Sequence, residues 1–199
     1  MNTENKIAID IVLLLPDKIN KLARDLSSKI ISPENIRPYK LGENDYLPHI
    51  SLLMGTTPVN DIESIKNKIE PIVKKYLPVK ITFTNIKQGT FSYLEIEKTE
   101  ALVALQNEIA ESIKLDYDAN KTMFLDPDIS DQGVDWINKF KENNLGEGKF
   151  NLHVTLGLGD ASSLNPNLPI ETIVSTIAIC HIGYGCSCRK VFEKIYGLI

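Results

Sequence analysis

The sequence predicts an α+β protein with two pseudo-symmetric lobes, whose antiparallel sheets meet in a central cleft. A strand–helix–strand–helix pattern occurs twice along the 199 residues, and each copy contains a strand of similar sequence. The length suits one domain with a substantial core, and no linker-like segment separates the copies. We therefore expect a single bilobal domain over 1–199. Its lobes cover roughly 1–78 and 79–199, and the final strands can cross between them.

The first copy combines strand and helix patterns. Runs rich in Ile, Val and Leu predict its strands, and apolar residues repeated every three or four positions predict its helices. Pro16 suits the first turn of a helix, where its missing N–H would be unpaired in any case. In chain order, the predicted elements are strand 6–15, helix 16–29, a weaker strand around 36–41, strand 48–54 and helix 59–76.

The second copy begins with two alternating strands around Lys87-Gln88-Gly89, which predict a hairpin. Two helices follow, separated by a polar and irregular stretch. A further strand then leads into a loop rich in Pro, Asn and Ser, and two last strands close the chain. In chain order, the predicted elements are strands 79–85 and 90–97, helices 99–115 and 132–143, and strands 151–159, 172–182 and 190–198.

The composition is that of a folded and mildly acidic protein, with a net charge of −4 and 43% hydrophobic residues. Residues 95–150 contain 13 acidic residues and six lysines, so the remainder of the chain is net +3. A basic face that coats nucleic acid is therefore not expected, nor is DNA binding. No segment approaches the ~20 apolar residues that cross a membrane, and the first residues lack a signal-peptide pattern. We expect a cytoplasmic monomer without membrane contact.

The three cysteines, Cys180, Cys186 and Cys188, are an odd number within nine residues. This is not a disulfide framework, so we expect buried free cysteines in a reducing compartment. Cys180 and His181 alternate along a strand, and the cluster lacks the C-x₂-C spacing of structural zinc sites. The segment 126–131 lacks the Gly and Glu of a calcium loop. We therefore expect neither a metal nor a cofactor.

Two of the three histidines lie in matching strands, PHISL and LHVTL, which are 104 residues apart. Each strand has His, a branched apolar residue, a hydroxyl residue and Leu in the same order. Because side chains alternate along a strand, His49 and Ser51 share one face, as do His153 and Thr155. A pseudo-twofold relation between the lobes would bring both faces to one small polar site.

Such a site suits phosphoryl transfer without a metal. One neutral imidazole can take a proton from the attacking group while one imidazolium protonates the leaving oxygen, and each role is typically worth about 10²–10⁴-fold in rate. Histidine suits both roles because its ordinary pKa is about 6.5. The hydroxyls of Ser51 and Thr155 would hold phosphate oxygens. The sequence does not distinguish the acid from the base.

The paired His-Φ-[Ser/Thr]-Φ motifs resemble those of the two-histidine (2H) phosphoesterase superfamily, which includes the LigT-like RNA 2′,3′-cyclic phosphodiesterases, also called 2′-5′ RNA ligases. The resemblance covers both motif strands, the strand–helix order and the closing strand pair. It implies a metal-independent enzyme that cleaves a cyclic phosphodiester or a 2′-5′ linkage, and we expect hydrolysis of a 2′,3′-cyclic phosphate on RNA ends or small nucleotides. His49, Ser51, His153 and Thr155 would be its catalytic residues. Ser51 replaces the more usual Thr, and the acidic stretch 116–147 resembles an insertion.

Several alternatives remain open. The same site could cleave 2′-5′-linked or cyclic oligonucleotides, and RNA ligase-like activity also follows from the resemblance. A non-catalytic protein that binds RNA ends or nucleotides is a second alternative, and a metal-dependent hydrolase is a third. Tyr46 and Tyr184 could stack on a nucleobase, while Lys40 and Arg189 could supply positive charge. We therefore name these four as candidate substrate-binding residues.

Overall fold

The computed structural model of the chain describes residues 5–34, 39–42, 46–89, 91–146 and 148–197. In these ranges, eight strands form two four-stranded antiparallel sheets, and five α-helices pack around them. Each lobe is built on one sheet. The predicted α+β class with two lobes is therefore confirmed.

The first sheet consists of β1 (Lys6–Leu14), β2 (His49–Pro58), β7 (Thr176–Ile182) and β8 (Cys188–Tyr196). Its strand order is β2-β1-β7-β8, so β2 lies at an edge and β1 lies beside it in the interior. Residues 7–13 of β1 are all buried, because apolar side chains cover both faces of this strand.

The second sheet consists of β3 (Val79–Lys87), β4 (Ser92–Ile96), β5 (His153–Gly157) and β6 (Ile170–Val174). Its order is β5-β4-β3-β6, so β5 also lies at an edge. The two strands that carry the histidine motifs, β2 and β5, thus occupy matching edge positions, and they contact each other.

The helices are α1 (Asp17–Ser28), α2 (Ile62–Tyr76), α3 (Glu100–Ser112), α4 (Asp131–Asn138) and α5 (Phe140–Asn144). α1 packs against β5 and α3 packs against β2, so each of these helices supports the motif strand of the opposite lobe. The predicted helix 132–143 is divided at Lys139, whose φ of −104° and ψ of 7° are not helical. Among the described residues, no helix combines the length and the apolar character needed to cross a membrane.

Three predicted strands differ from the observed ones. The predicted strand 172–182 is two strands in different sheets, because β6 pairs with β3 and β7 pairs with β1. Ser175 therefore lies where the chain crosses between the sheets. Part of the weaker strand around 36–41 lies outside the described residues, and 39–41 are not in a strand.

The third difference is that β2 continues past Gly55 to Pro58. At Gly55 a Cβ atom would lie 2.6 Å from the Cβ of Leu115 and 2.9 Å from the backbone oxygen of Asp116. Glycine here permits a close approach of two backbones rather than ending the strand. Thr56 then pairs with Asp116 by two backbone hydrogen bonds.

The prediction of three free cysteines is wrong. Cys180 and Cys188 form a disulfide between β7 and β8, and only Cys186 is a buried free thiol. The antiparallel turn between these strands brings the two Cα atoms to 5.5 Å, within the range that a disulfide bridges. Because two of the three cysteines form a disulfide, the cysteines no longer support a reducing compartment.

Candidate active site

One cavity of about 380 Å³ lies between the two lobes, and it is lined by all four residues of the paired motifs. His49 and Ser51 enter it from β2, and His153 and Thr155 enter it from β5. The two edge strands face each other across this cavity, as the repeated pattern predicts.

Burial of the intervening residues sets the orientation of each motif. Ile50 and Leu52 of β2 are completely buried, as are Val154 and Leu156 of β5. Alternation along the strand then directs the histidine and the hydroxyl residue towards the opposite side. Gln106 of α3 also lines the cavity, and its side-chain amide donates to the backbone oxygen of Leu52 at 3.2 Å. This bond ties β2 to the helix behind it.

Both imidazoles are held in the same way. Nδ1 of His49 lies 2.6 Å from the Leu47 carbonyl oxygen, and Nδ1 of His153 lies 2.7 Å from the Asn151 carbonyl oxygen. Because a carbonyl oxygen can only accept, Nδ1 carries the proton and donates it. The neutral ring therefore keeps its lone pair on Nε2, the nitrogen that a general base uses.

Burial lowers the pKa of both histidines. The pKa of His49 falls to about 4, chiefly because burial disfavours the cation; its bond to Leu47 opposes the shift and the nearby His153 adds to it. The pKa of His153 also falls through burial, partly opposed by the bond to Asn151. Taken alone, each imidazole is therefore neutral at neutral pH.

Asp10 of β1 is a site residue that the sequence analysis did not identify. Its side chain is completely buried, and its Oδ2 accepts a 2.6 Å hydrogen bond from the Ser51 hydroxyl. The same Oδ2 lies 3.6 Å from Nε2 of His49. Burial raises the pKa of Asp10 well above its usual value, an effect that the Ser51 hydrogen bond opposes. The signal in the sequence is an acidic residue within an otherwise apolar strand.

The second motif has different surroundings. The ring of Tyr93, from β4, packs on the His153 ring with centroids 4.7 Å apart. Glu95 is the cross-strand neighbour of His153, but its carboxylate lies 3.7 Å from the Lys87 ammonium. Within the described part of the chain, no carboxylate comes within ion-pair distance of His153, and no partner holds the Thr155 hydroxyl.

The remaining walls are mainly aromatic and amide side chains, together with Met54 and Cys186. The described residues that line the cavity include no Lys, Arg, Asp or Glu. The segment expected to be an insertion supplies one of these walls, through α4 and α5. Besides the motifs and Gln106, the larger lining side chains are Tyr39, Phe91, Tyr93, Trp136, Phe140, Asn143, Asn144 and Asn151.

None of the four candidate substrate-binding residues is among the described residues that line this cavity. Tyr46 is buried and stacks on Tyr39, with ring centroids 4.7 Å apart. The Arg189 guanidinium lies on the Tyr46 ring, 4.7 Å from its centroid. Lys40 is exposed.

Asp126 contacts two of the candidate residues, Arg189 and Tyr184. Its carboxylate forms an ion pair with Arg189 and accepts the backbone N–H of Tyr184 at 2.8 Å. The observed contacts of Tyr46, Tyr184 and Arg189 are therefore contacts within the fold, and their roles towards a substrate stay predictions.

The third histidine lies outside the cavity. Nε2 of His181 is 3.0 Å from the Met123 carbonyl oxygen, and its ring stacks on Phe192. Among the described residues, no group of three or more His, Cys, Asp or Glu side chains could hold a metal ion.

The two edge strands, the paired histidine motifs and the shared cavity are the features of a 2H phosphoesterase. A family model for the 2′-5′ RNA ligase superfamily matches residues 34–176, and the chain belongs to this family. No curated protein sequence matches the chain significantly.

Solved structures share the whole fold at low sequence identity. E. coli LigT complexed with phosphate is 13% identical, with a TM-score of 0.54 over 98% of this chain and 99% of that chain. TT0787 of Thermus thermophilus is 13% identical, with a TM-score of 0.62 over 96% and 97% of the two chains. E. coli LigT complexed with 3′-AMP has a TM-score of 0.55 at 13% identity, over 98% and 99%.

Proposed function

We propose that this protein is a metal-independent phosphodiesterase that hydrolyses a 2′,3′-cyclic phosphate by acid–base catalysis with His49 and His153. The observation that carries the proposal is the shared cavity, which contains two imidazoles whose Nδ1 atoms are both occupied by backbone carbonyls. Each ring thus presents Nε2 for proton transfer. Family membership supports phosphoesterase chemistry in general.

The proposed reaction requires two proton transfers, one from the attacking water and one to the leaving ribose oxygen. One Nε2 removes a proton from water, the water oxygen attacks phosphorus, and the ribose oxygen that leaves receives a proton from the other imidazole. The hydroxyls of Ser51 and Thr155 lie beside the imidazoles and can donate to the non-bridging phosphate oxygens. Both non-bridging oxygens gain negative charge in the transition state, so these donors stabilise it more than the substrate.

The cavity also indicates the size and charge of the substrate. Its volume of about 380 Å³ fits one nucleotide, and its aromatic walls include Trp136 and Phe91, whose ring centroids are 5.3 Å apart. Aromatic faces bind nucleobases by stacking. Because the described lining side chains include no Lys or Arg, a singly charged cyclic nucleotide, or the terminal nucleotide of an RNA, suits it better than a polyphosphate.

The solved relatives support a nucleotide ligand. E. coli LigT was solved with phosphate and with 3′-AMP, which are the kinds of group that the two imidazoles and the aromatic walls would hold. A monomer is part of the proposal, whereas a reducing compartment is not, because Cys180 and Cys188 form a disulfide.

The test is turnover of the four nucleoside 2′,3′-cyclic phosphates and of a 2′-5′-linked dinucleotide, with a chelator present. Products are separated by chromatography, and wild type is compared with His49→Ala. We expect hydrolysis of the cyclic phosphates by the wild type and its loss in the variant. His181→Gln is the matched control because His181 lies outside the cavity, and it should keep full activity.

Each alternative predicts a different result. Turnover of the 2′-5′ dinucleotide alone would identify the oligonucleotide phosphodiesterase, and binding without turnover would identify a nucleotide-binding protein. Inhibition by the chelator would favour a metal-dependent hydrolase. Any of these results contradicts the proposed function.

A further inference from the structure

We propose that Asp10 is a positioning residue that titrates together with His49 as a pair holding one proton, which keeps that proton available for the leaving oxygen. This inference rests on the proposed phosphodiesterase function. Its evidence is the one carboxyl group behind His49, for which the described surroundings of His153 contain no counterpart.

The position of Asp10 makes an isolated charge unfavourable. The carboxyl group lies on the face of β1 that also carries Ala8 and Val12, which belong to two apolar clusters. Its side chain is completely buried, and Oδ1 has no hydrogen-bond partner among the described residues. Oδ2 accepts one hydrogen bond, from the Ser51 hydroxyl at 2.6 Å, and lies at ion-pair distance, 3.6 Å, from Nε2 of His49. A single hydrogen bond compensates only part of the hydration that a buried carboxylate loses.

Three protonation states of the Asp10–His49 pair must be compared. With no proton the pair is an isolated anion, and with two protons it is an isolated cation; burial disfavours both. With one proton the pair is neutral overall, either as a carboxylic acid beside a neutral imidazole or as an ion pair. Burial therefore extends the pH range of the one-proton state in both directions. The raised pKa of Asp10 and the lowered pKa of His49 agree with this result.

The other titratable groups near the pair are neutral at neutral pH. Burial raises the pKa of the Cys186 thiol, and the charge of Asp10 adds to this shift. Burial likewise raises the pKa of Tyr39, which lines the same cavity. Cys180, the cross-strand neighbour of Asp10 on β7, is in the disulfide and does not titrate. Across the cavity, burial lowers the pKa of His153.

The Asp10–His49 pair and His153 are therefore in different protonation states before the reaction begins. The Asp10–His49 pair has one proton to give, while neutral His153 has a free lone pair on Nε2. As water attacks phosphorus, His153 accepts a proton and becomes a cation. As the bond from phosphorus to the ribose oxygen breaks, the pair gives its proton to that oxygen and becomes an anion. The net charge of the site does not change during the reaction. Transfer of one proton from His153 to the Asp10–His49 pair then restores the starting protonation state.

The test is Asp10→Asn, which keeps the side-chain shape but cannot share an acidic proton. It is assayed on two substrates: adenosine 2′,3′-cyclic phosphate, and bis(4-nitrophenyl) phosphate, whose nitrophenolate leaves without protonation. On the cyclic phosphate we expect kcat to fall about 10²-fold, KM to change little, and the alkaline limb of the pH profile to move to lower pH. On the nitrophenyl diester we expect only a small loss of kcat, well short of that on the cyclic phosphate.

The histidine variants and a matched carboxylate complete the test. His49→Ala should spare the nitrophenyl diester relative to the cyclic phosphate, whereas His153→Ala should lose activity on both. Glu95→Gln removes the carboxylate across the strand from His153 and should leave both pH profiles unchanged. Equal losses on both substrates in Asp10→Asn, or an unmoved pH profile, would overturn the inference.

A measurement on the wild type needs neither a folded variant nor activity. In a nuclear magnetic resonance titration, the Asp10 carboxyl carbon and the His49 ring should change over the same two pH intervals, while His153 changes alone. An Asp10 carboxyl that ionises below about pH 4, with His49 titrating by itself, would refute the shared proton. If the wild type hydrolyses neither diester, the proposed function fails while this titration still decides about the pair.

Discussion

The His49 half and the His153 half of the cavity share a strand motif but differ in the residues behind the imidazole. Both motifs lie on an edge strand, and both rings donate Nδ1–H to a carbonyl two residues earlier. Behind His49, however, β1 supplies the buried carboxyl of Asp10, whereas β4 supplies the ring of Tyr93 beside His153. The repeated backbone thus provides two equivalent imidazoles, and the neighbouring strands make them chemically different.

The hydroxyl residues differ in the same way. The Ser51 hydroxyl donates to Asp10 at 2.6 Å, while the Thr155 hydroxyl has no partner in the described part of the chain. A phosphate oxygen must therefore compete with Asp10 for the Ser51 proton, whereas Thr155 can donate to the phosphate without losing another bond. The asymmetry of the two halves extends from the imidazoles to both hydroxyls.

The largest expected effect is that of the two histidines. His49→Ala and His153→Ala should each lower kcat for a 2′,3′-cyclic nucleotide by about 10²–10⁴-fold. Because the two groups act in one step, the double variant should lose little more than the worse single variant. The measurement is kcat at neutral pH for wild type, both single variants and the double variant. Losses that multiply in the double variant would show that the two imidazoles act independently.

The hydroxyl residues are expected to have intermediate effects that differ in kind. Thr155→Val should lower kcat about 10²-fold through the loss of a transition-state donor, with an almost unchanged free energy of unfolding. Ser51→Ala should lower kcat and also reduce the free energy of unfolding by about 1–3 kcal/mol, because it leaves the buried carboxyl of Asp10 without its hydroxyl partner. Kinetics and denaturant unfolding on both variants test this difference. Equal free energies of unfolding in the two variants would contradict the structural role of Ser51.

The elements that local patterns control could be predicted from the sequence, and those that long-range pairing controls could not. The PHISL and LHVTL strands could be found because alternation fixes which side chains share a face, and their meeting in one cavity follows from the repeat. The division of the predicted strand 172–182 depends on which sheet each half joins. No local property of these residues encodes that choice.

The site residues that lie outside the two motif strands could not be predicted from the sequence, for the same reason. Asp10 lies far from His49 in the sequence and reaches it only through the register of β1 with β2. Trp136 and Asn144 reach the cavity because α4 and α5 pack against β2. Tyr46 and Arg189 are candidates on their chemistry alone, and both make packing contacts outside the cavity.

The smallest expected effect concerns stability, and it tests the shared proton without any substrate. In the unfolded chain Asp10 and His49 have their ordinary pKa values of 3.8 and 6.5, so the two residues together hold one proton between these values and none above the second. If the folded pair holds one proton as proposed, it keeps that proton above pH 6.5, in line with the raised pKa of Asp10. The folded state then binds more protons than the unfolded state, so the free energy of unfolding contributed by the pair falls as pH rises above about 6.5.

Asp10→Asn should reverse this dependence. His49 alone, with a pKa lowered from 6.5 to about 4 by burial, is neutral when folded but charged when unfolded between these values, so stability falls as pH decreases through that interval. The difference between variant and wild type, measured by denaturant unfolding, should change by at most about 1.4 kcal/mol per pH unit. Groups common to both proteins cancel in that difference. A pH-independent difference would mean that Asp10 and His49 do not share a proton, and the two halves of the cavity would then differ in shape alone.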